Sequence, residues 1–377
     1  MIYLDNAATG GKKPDTVLTA VQSATRLCAN PGRSGHKLAL SCAKTVEACR
    51  NALNETFDGY GYDRVVFTKN CTEALNIALF GILQQGDHAV ATCMEHNSVL
   101  RPLAYMKKQR RIAYDICPLK KQDDGYTVDV AALRSLIKPN TKLVIVTTAS
   151  NVNGAIPDLL AIRKAIPKRV LLLCDGAQGG GHFPIRMRET GIDVLTLAGH
   201  KGLYALQGSG ALLFSERVAL PPFLYGGTGS MSISLDMPDF YPDSLEAGTL
   251  SFPAIVSLLE GVRFANSVLL QSQQHCLSLT AYLLQELKKL PLFTAYSKPN
   301  PCGIVCFSHA FLQAEHIAGQ LSSKHDIAVR GGLHCAPLMH EALGTLDGGL
   351  TRVSLSYYTE QSEIDMLLSA LQDIEKL

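Results

Sequence analysis

The alternation of short apolar runs with helical segments limits the possible folds of this chain more than any other feature. Runs of the kind that form buried strands lie at 65–68, 89–94, 112–117, 143–148, 170–175, 193–198 and 210–214. Most of them are separated by stretches with helical apolar spacing, such as 97–109. Strands that are apolar throughout are covered on both faces, and intervening helices connect parallel neighbours. The pattern therefore predicts an α/β fold with a mostly parallel sheet between two helical layers.

Polar residues follow several of these runs at the point where each strand ends. Thr72, His96, Asp175 and Lys201 all lie at or just after such an end. In open parallel sheets, ligands bind outside the carboxyl ends of the strands. We therefore expect these four side chains to share one edge of the sheet and to form a site there.

The C-terminal third of the chain has a different texture. A glycine-rich loop at 225–230 is followed by a long helical stretch from about 253 to 287, and then by shorter strands and helices. This change predicts a large domain of residues 15–254 and a smaller α/β domain of residues 255–377. The first fourteen residues, 1–14, are expected to fold back onto the smaller domain.

Composition excludes several classes of partner. A net charge of +2 argues against nucleic acid or an anionic membrane surface. The chain has no run of eighteen apolar residues and no basic, apolar signal segment, so neither a membrane span nor secretion is expected. Its eleven cysteines are odd in number and include no Cys-x-x-Cys pair, which argues against a zinc site or a closed disulfide framework. We expect a reduced cytoplasmic protein without a metal.

Lys201 closes the apolar run that begins at Leu195. A lysine in such a position most often lays its stem along apolar surface and extends its amine into water. Asp175, twenty-six residues earlier, changes this interpretation. A lysine can form a Schiff base with an aldehyde cofactor, and an aspartate can hold a pyridinium proton. The pair therefore indicates pyridoxal 5′-phosphate (PLP).

Four further residues would suit that cofactor. His96 could place its ring on the cofactor face, and Gln178 could reach the phenolic oxygen. Thr72, at a predicted helix start, offers donors to a phosphate, and His200 is another donor. Each feature alone is weak, so a cofactor-free binding or scaffold protein with this fold stays open on these residues.

Eight segments occur in an order that matches a known family. They are Tyr3-Leu-Asp-Asn-Ala-Ala-Thr9, Cys71-Thr-Glu73, Glu95-His96, Ser150-Asn151, Asp175-Gly-Ala-Gln178, Gly199-His-Lys201, Glu246-Ala-Gly-Thr249 and Arg330-Gly-Gly-Leu-His-Cys-Ala-Pro337. Nearly the whole chain resembles the class V aminotransferases and, within them, the cysteine desulfurases and selenocysteine lyases of the NifS/SufS type. The resemblance implies the PLP-dependent transferase fold type I.

The resemblance also implies roles around the cofactor ring. Lys201 would bind PLP covalently and move the proton of the substrate α-carbon. Asp175 would pair with the pyridine nitrogen, while His96 would stack on the ring. Gln178 would bond the phenolic oxygen, and Asn151 would face the ring and the substrate.

The phosphate group would be held by a second set of residues. Thr72 and His200 would bind it directly, and Thr249 would reach it from the other subunit of a homodimer. Two positions depart from the family pattern. Cys71 stands where a threonine is frequent, and Ala198 stands where a serine is usual, so the resemblance implies a weaker phosphate cradle here.

Cys335 is the residue that would select the reaction. It lies in a short glycine-led loop rather than within an apolar run, and nearby positive charge from Arg330 or His334 could raise its nucleophilicity. A thiolate there could attack the sulfur of the substrate. Arg352 would bind the substrate carboxylate through its guanidinium fork, with Arg330 and Asn151 in the same substrate site.

The implied activity is that of a PLP-dependent cysteine desulfurase. L-cysteine would become L-alanine, sulfur would remain as a persulfide on Cys335, and an acceptor protein would then receive it. Two alternatives share the fold: a selenocysteine lyase acting on L-selenocysteine, and another C–S lyase or an epimerase in which Cys335 takes no part.

Overall fold

The structure is a computed structural model that describes residues 1–27, 29–31, 34–109, 112–122 and 125–375. Its α-helices are α1 (Asp15–Thr25), α2 (Lys37–Thr56), α3 (Cys71–Ile82), α4 (Asn97–Gln109), α5 (Val130–Ser135), α6 (Leu159–Ala165), α7 (Met187–Thr190), α8 (Phe252–Leu287), α9 (Ala314–His325), α10 (Pro337–Leu343) and α11 (Gln361–Glu375). Its strands are β1 (Ile2–Tyr3), β2 (Val65–Thr68), β3 (His88–Thr92), β4 (Ala113–Cys117), β5 (Leu119–Gln122), β6 (Gly125–Val128), β7 (Thr141–Thr147), β8 (Leu171–Asp175), β9 (Val194–Ala198), β10 (Gly210–Phe214), β11 (Phe293–Ala295), β12 (Ile304–His309), β13 (Ile327–Ala328), β14 (Arg330–Gly332) and β15 (Leu350–Ser354).

The main sheet has seven strands in the order β2-β10-β9-β8-β7-β3-β4. Strand β10 is antiparallel to both of its neighbours, while the other neighbouring pairs are parallel. Strands β2, β9, β8, β7, β3 and β4 therefore all run in one direction. The predicted α/β fold with a mostly parallel sheet is confirmed, and the runs chosen from the sequence correspond to its strands.

The central strands contain unbroken apolar runs because each face of the sheet has its own core. On β7, Val144 and Val146 belong to one hydrophobic cluster, and Leu143 and Ile145 belong to another. Successive side chains of a strand point to opposite faces, so a doubly covered strand needs apolar residues at every position. Helices α2 and α8 contribute to the first cluster, and helices α3 and α4 to the second.

A second, antiparallel sheet with the order β11-β12-β15-β14 lies in the C-terminal third. Its core includes residues of α8, α9 and α11. Strand β1 pairs in parallel with β13, and Asp5 forms an isolated bridge with Ser354. These contacts carry the N-terminal residues to the edge of the second sheet. The predicted division at residue 254 stays a prediction.

Helix α8 is thirty-six residues long and continues across residue 254. By length and composition it could cross a membrane, since one eighteen-residue window has a mean hydropathy of 1.3. Half of that window is buried inside the protein, where α8 packs against α1, α2 and α11. The helix therefore has the packing of a core helix.

Candidate active site

A cavity of about 230 Å³ opens at the carboxyl end of the main sheet. Ten of the twelve predicted site residues line it, namely Cys71, Thr72, His96, Asn151, Asp175, Gln178, His200, Lys201, Arg330 and Arg352. The first eight follow main-sheet strands, and the two arginines come from β14 and β15 of the second sheet. The predicted convergence of strand ends is therefore what the structure shows, with the second sheet closing one side.

Lys201 follows β9 in the turn that begins at Gly199. Burial lowers the pKa of its amine below the usual 10.5, although the Asp175 carboxylate opposes this shift. A lowered pKa increases the fraction of neutral amine, which is the form that attacks an aldehyde. Lys201 is therefore suited to covalent attachment of a carbonyl group.

Asp175 ends β8, and its carboxylate is buried in the floor of the cavity. The Ala177 backbone N–H donates to Oδ1 at 2.9 Å, and Cys71 Sγ lies 3.3 Å from the same oxygen. Among the described residues, none donates a hydrogen bond to Oδ2. One carboxylate oxygen is thus held by the chain, and the other is left to accept from a ligand.

The side chain of Cys71 points toward Asp175. Its sulfur is buried against that carboxylate and lies 3.3 Å from Thr196 Oγ1. This places the sulfur at the end of the cavity where the aspartate stands. The expected place of Cys71 in the phosphate cradle stays a prediction.

His96 is neutral at pH 7 in this site. Burial lowers the pKa of its imidazole to about 4, in spite of the nearby Asp175 carboxylate. Nδ1 accepts from the Ser98 backbone N–H at 3.0 Å, so the ring proton of the neutral form resides on Nε2. A neutral, oriented imidazole can stack on an aromatic ring.

The amino-terminal end of α3 can hold a phosphate. Asn70 caps the helix by accepting from the Glu73 N–H, and Thr72, in the first turn, lines the cavity. First-turn N–H groups lack intrahelical partners and attract anions. His200 also lines the cavity. Its burial, and to a smaller extent the positive charges of Lys201 and Lys13, lower the pKa of its imidazole to about 4. It is therefore a neutral donor or acceptor.

The remaining amides orient the floor of the cavity. Gln178 Nε2 donates to the Ala7 carbonyl at 3.0 Å, which ties the N-terminal segment to the site. Asn151 Nδ2 donates to the His334 carbonyl at 2.7 Å. Both amide oxygens therefore have fixed directions, because the nitrogen of each group is already engaged.

Arg352 is fully buried on β15, and the chain itself holds two of its nitrogens. Nη1 donates to the Asn151 carbonyl at 2.9 Å, and Nη2 donates to Asp5 Oδ1 at 2.8 Å. Nε is buried and lacks a partner among the described residues. An unpaired buried donor beside a cavity is costly unless a ligand satisfies it, and a carboxylate would do so. Asp5 was not predicted, although it lies within the motif Tyr3 to Thr9.

Cys335 lies just outside the residues that line the cavity, in a tightly held loop. His334 and Cys335 adopt left-handed backbone conformations, with φ values of 50° and 57°. The Asn97 N–H donates to the Cys335 carbonyl at 2.7 Å. Arg330 Nη2 lies 4.0 Å from Cys335 Sγ. The loop therefore keeps a half-buried thiol beside a guanidinium at the edge of the cavity.

His334 cannot supply positive charge to this thiol. Burial, followed by the positive charge of Arg352, lowers its pKa to about 2, and Nε2 donates to the Leu350 carbonyl at 3.0 Å. Burial and the nearby arginines disfavour the protonated imidazole, which counts against the expectation that His334 serves as a cation. Arg330 is the cation that remains.

Thr249 lies apart from the cavity and is exposed. Its segment is anchored by Glu246, which forms a buried ion pair with Arg50. Since its predicted contact needs a second subunit, the role of Thr249 stays a prediction.

The sequence model for class V aminotransferases matches residues 2–367. The chain belongs to the class V aminotransferase family. A probable cysteine desulfurase of Methanothermobacter thermautotrophicus is 30% identical over 99% of this chain and 94% of its own length. A cysteine desulfurase of Pectobacterium carotovorum is 30% identical over the whole chain and 94% of its own length.

Solved structures of the class V family agree with the fold. An apo cysteine desulfurase from Thermococcus onnurineus has a TM-score of 0.89 and 26% identity, covering all of this chain and 94% of its own. An Escherichia coli cysteine desulfurase has a TM-score of 0.88 and 27% identity, covering all of this chain and 95% of its own. The fold of this chain is therefore that of PLP-dependent enzymes of fold type I.

The cavity suits the cofactor of this family, PLP. It offers a lysine of lowered pKa for the aldehyde, an aspartate oxygen free to accept from the pyridine nitrogen, and a neutral imidazole for the ring. The amino terminus of α3 offers backbone N–H donors to the phosphate. This set of donors and acceptors matches the separate chemical groups of PLP, and the expected cofactor is thus in accord with the geometry.

Proposed function

We propose that the protein is a PLP-dependent cysteine desulfurase that converts L-cysteine to L-alanine and retains the sulfur as a persulfide on Cys335. The observation that carries this proposal is a thiol on a fixed loop, beside Arg330, at the edge of a cavity that contains Lys201 and Asp175. The named relatives and structural neighbours support a desulfurase over the lyase and epimerase alternatives.

Bound PLP supplies an electron sink for the α-carbon of an amino acid. Lys201 Nζ would hold the cofactor covalently and would be the base for the α-proton of the substrate. Asp175 Oδ2 would accept a hydrogen bond from the pyridine nitrogen. His96 would pack its neutral ring on the cofactor, and the first turn of α3 with Thr72 and His200 would bind the phosphate.

Arg352 orients the substrate. Its Nε and the outer hydrogens of its guanidinium would bind the substrate carboxylate, because the other donors are held by Asn151 and Asp5. The carbonyl and carboxylate behind it prevent the guanidinium from rotating. This arrangement would place the substrate α-carbon between Lys201 and the loop of Cys335.

Cys335 acts as the nucleophile. Its thiolate attacks the substrate sulfur, a new S–S bond forms, and the substrate C–S bond breaks. The electron pair of that bond passes to the substrate carbon, which takes up a proton and leaves as alanine. Arg330 Nη2 lies 4.0 Å from Cys335 Sγ, within the range of a hydrogen bond to sulfur. The persulfide sulfur then moves to an acceptor protein.

Four further points belong to the same proposal. The enzyme is a homodimer in which Thr249 of each subunit reaches the cofactor phosphate bound by the other subunit. L-selenocysteine is an alternative substrate, because it differs from L-cysteine by one atom. Residues 15–254 form the large domain, with residues 1–14 and 255–377 in the small one. A cytoplasmic location is proposed from composition.

The test compares wild type with Cys335→Ala and with a matched control, Cys302→Ala, which removes a buried thiol that is not among the residues lining the cavity. Alanine formation from L-cysteine, and sulfide release in the presence of an added thiol reductant, should be lost in Cys335→Ala and kept in the control. Mass spectrometry should find one added sulfur atom on the peptide that contains Cys335. Parallel reactions with L-selenocysteine measure substrate preference.

Two outcomes would contradict the proposal. Unchanged alanine formation by Cys335→Ala would favour the lyase alternative. A wild-type protein that acquires no visible absorbance with PLP, or a band that persists in Lys201→Ala, would remove the covalent role of Lys201 and favour a cofactor-free protein.

A further inference from the structure

Cys71 is a cavity residue to which the reaction above assigns no task. It begins α3, lines the cavity and is buried. Its sulfur lies 3.3 Å from Asp175 Oδ1 and 3.3 Å from Thr196 Oγ1. Among the cysteines that the structure describes it therefore has an unusual neighbour, since a carboxylate placed to bind the cofactor lies within hydrogen-bond reach of its thiol.

The direction of this hydrogen bond follows from the groups involved. An ionised carboxylate only accepts, so the thiol must donate to Oδ1, while its sulfur can accept from the Thr196 hydroxyl. Burial, followed by the Asp175 carboxylate, raises the pKa of the Cys71 thiol well above its usual value. The thiol therefore keeps its proton at neutral pH and remains a donor.

Asp175 Oδ1 is held from two sides as a result. The Ala177 N–H donates from the following turn, and the Cys71 thiol donates from α3. Two donors on Oδ1 restrain rotation of the carboxylate more strongly than one donor would, and they leave Oδ2 without a donor among the described residues.

We propose that Cys71 is a positioning residue that fixes the Asp175 carboxylate, so that Oδ2 meets the pyridine nitrogen of PLP. This inference rests on the proposed assignment of the cavity to PLP. It makes the thiol a determinant of cofactor affinity rather than a second nucleophile. It also explains why a position near the phosphate end of α3 carries a sulfur that points toward the aspartate.

The experiment uses three variants of the full-length protein: Cys71→Ala, Cys71→Ser and the control Cys49→Ala. Cys49 is also fully buried, but it lies in the core on α2. Each apoprotein is titrated with PLP, without an amino acid substrate, and binding is followed by visible absorbance. Infrared spectroscopy of the wild-type apoprotein records the S–H stretching bands, and the band lost in Cys71→Ala is assigned to this thiol.

Loss of one hydrogen bond to a charged group should weaken PLP binding by about tenfold in Cys71→Ala. Cys71→Ser keeps a donor at the same position, and we expect it to bind within about threefold of wild type. Cys49→Ala should bind as wild type does. The assigned S–H band should lie at low frequency, as expected for a thiol that donates to a carboxylate.

Equal PLP affinity in wild type and Cys71→Ala would overturn the inference while leaving the proposed function intact. Equal weakening in the alanine and serine variants would also overturn it, because a donor would then not be what matters. If Cys71→Ala fails to fold, the serine variant and the wild-type band decide: an S–H band at the frequency of a free thiol overturns the inference. A wild-type protein that binds no PLP would instead overturn the proposed function.

Discussion

The buried ion pair between Arg50 and Glu246 offers a sharp test of how the segment of Thr249 is held. The two side chains are 8% and 6% exposed, and they meet through bonds of 2.9 Å and 2.5 Å. Glu246 Oε1 also accepts from the Phe67 N–H at 2.7 Å. Arg50 in turn lies over the Phe67 ring, 4.4 Å from its centre, and donates to the Val65 carbonyl.

Replacing Glu246 with alanine should lower the free energy of unfolding by about 3–5 kcal/mol, because a buried guanidinium would lose its counter-charge. The Phe67 N–H would lose its acceptor at the same time, which places the expected loss toward the upper part of that range. The midpoint of urea unfolding should fall by on the order of 1 M. The apoprotein is used so that cofactor binding does not contribute.

A matched control removes a carboxylate from an exposed pair. Glu286 bonds to Lys289, which is 63% exposed, and Glu286→Ala should cost less than about 1 kcal/mol. The double variant Arg50→Met with Glu246→Leu should recover much of the stability lost in Glu246→Ala, since apolar residues of similar volume carry no unpaired charge. A loss in Glu246→Ala no larger than that in Glu286→Ala would refute the reasoning.

Three further changes have expected outcomes. Arg352→Lys should lower kcat/KM for L-cysteine by about 10- to 100-fold, because a lysine cannot replace the two oriented donors of a guanidinium. Alanine formation at limiting substrate measures this ratio. An unchanged kcat/KM would contradict the role of Arg352 in binding the substrate carboxylate. Burial lowers the pKa of His200 to about 4 in the folded protein, from the ordinary 6.5 expected in the unfolded chain. Between these two pH values the unfolded chain binds more protons than the folded one, so the free energy of unfolding should fall as the pH drops from 6.5 to 4. Urea unfolding at several pH values should show that the free energy of unfolding falls less in His200→Asn than in wild type. An identical fall in the two proteins would contradict the lowered pKa of His200. Gly261→Ala should destabilise the protein by about 1–3 kcal/mol, because the added Cβ would overlap the Leu203 carbonyl oxygen. Gly319→Ala, which lies in open space on α9, should instead stabilise the protein by about 0.5–1 kcal/mol. Thermal unfolding of both variants tests this difference, and similar effects of the two changes would contradict it.

Much of the fold was predictable because it depends on short periodicities. The unbroken apolar runs Leu143–Val146 in β7 and Leu171–Cys174 in β8 require cover on both faces, and the helices between the strands supply it. The convergence of Thr72, His96 and Asp175 follows from the same pattern, since parallel strands end at one edge. The antiparallel hairpin of β5 and β6 was not predicted, because two short polar strands leave little periodic signal.

The partners of the site residues were less predictable because they lie far apart in sequence. Asp5 and Arg352 are joined only because β1 pairs with β13 and the N-terminal segment reaches β15. The direction of the Cys71 side chain depends on how α3 begins relative to β8 and β9. Neither relation has a local sequence signature.

The sequence by itself determined the type of sheet and the kinds of groups gathered at its edge: a lysine, a carboxylate, imidazoles, two arginines and a loop thiol. The tertiary structure alone decided their chemical states. It made His96, His200 and His334 neutral through burial, left Arg330 as the cation beside Cys335, and turned the Cys71 thiol toward Asp175. Protonation and hydrogen bonding depend on solvent exclusion and on distances between remote segments, and only the folded chain establishes these.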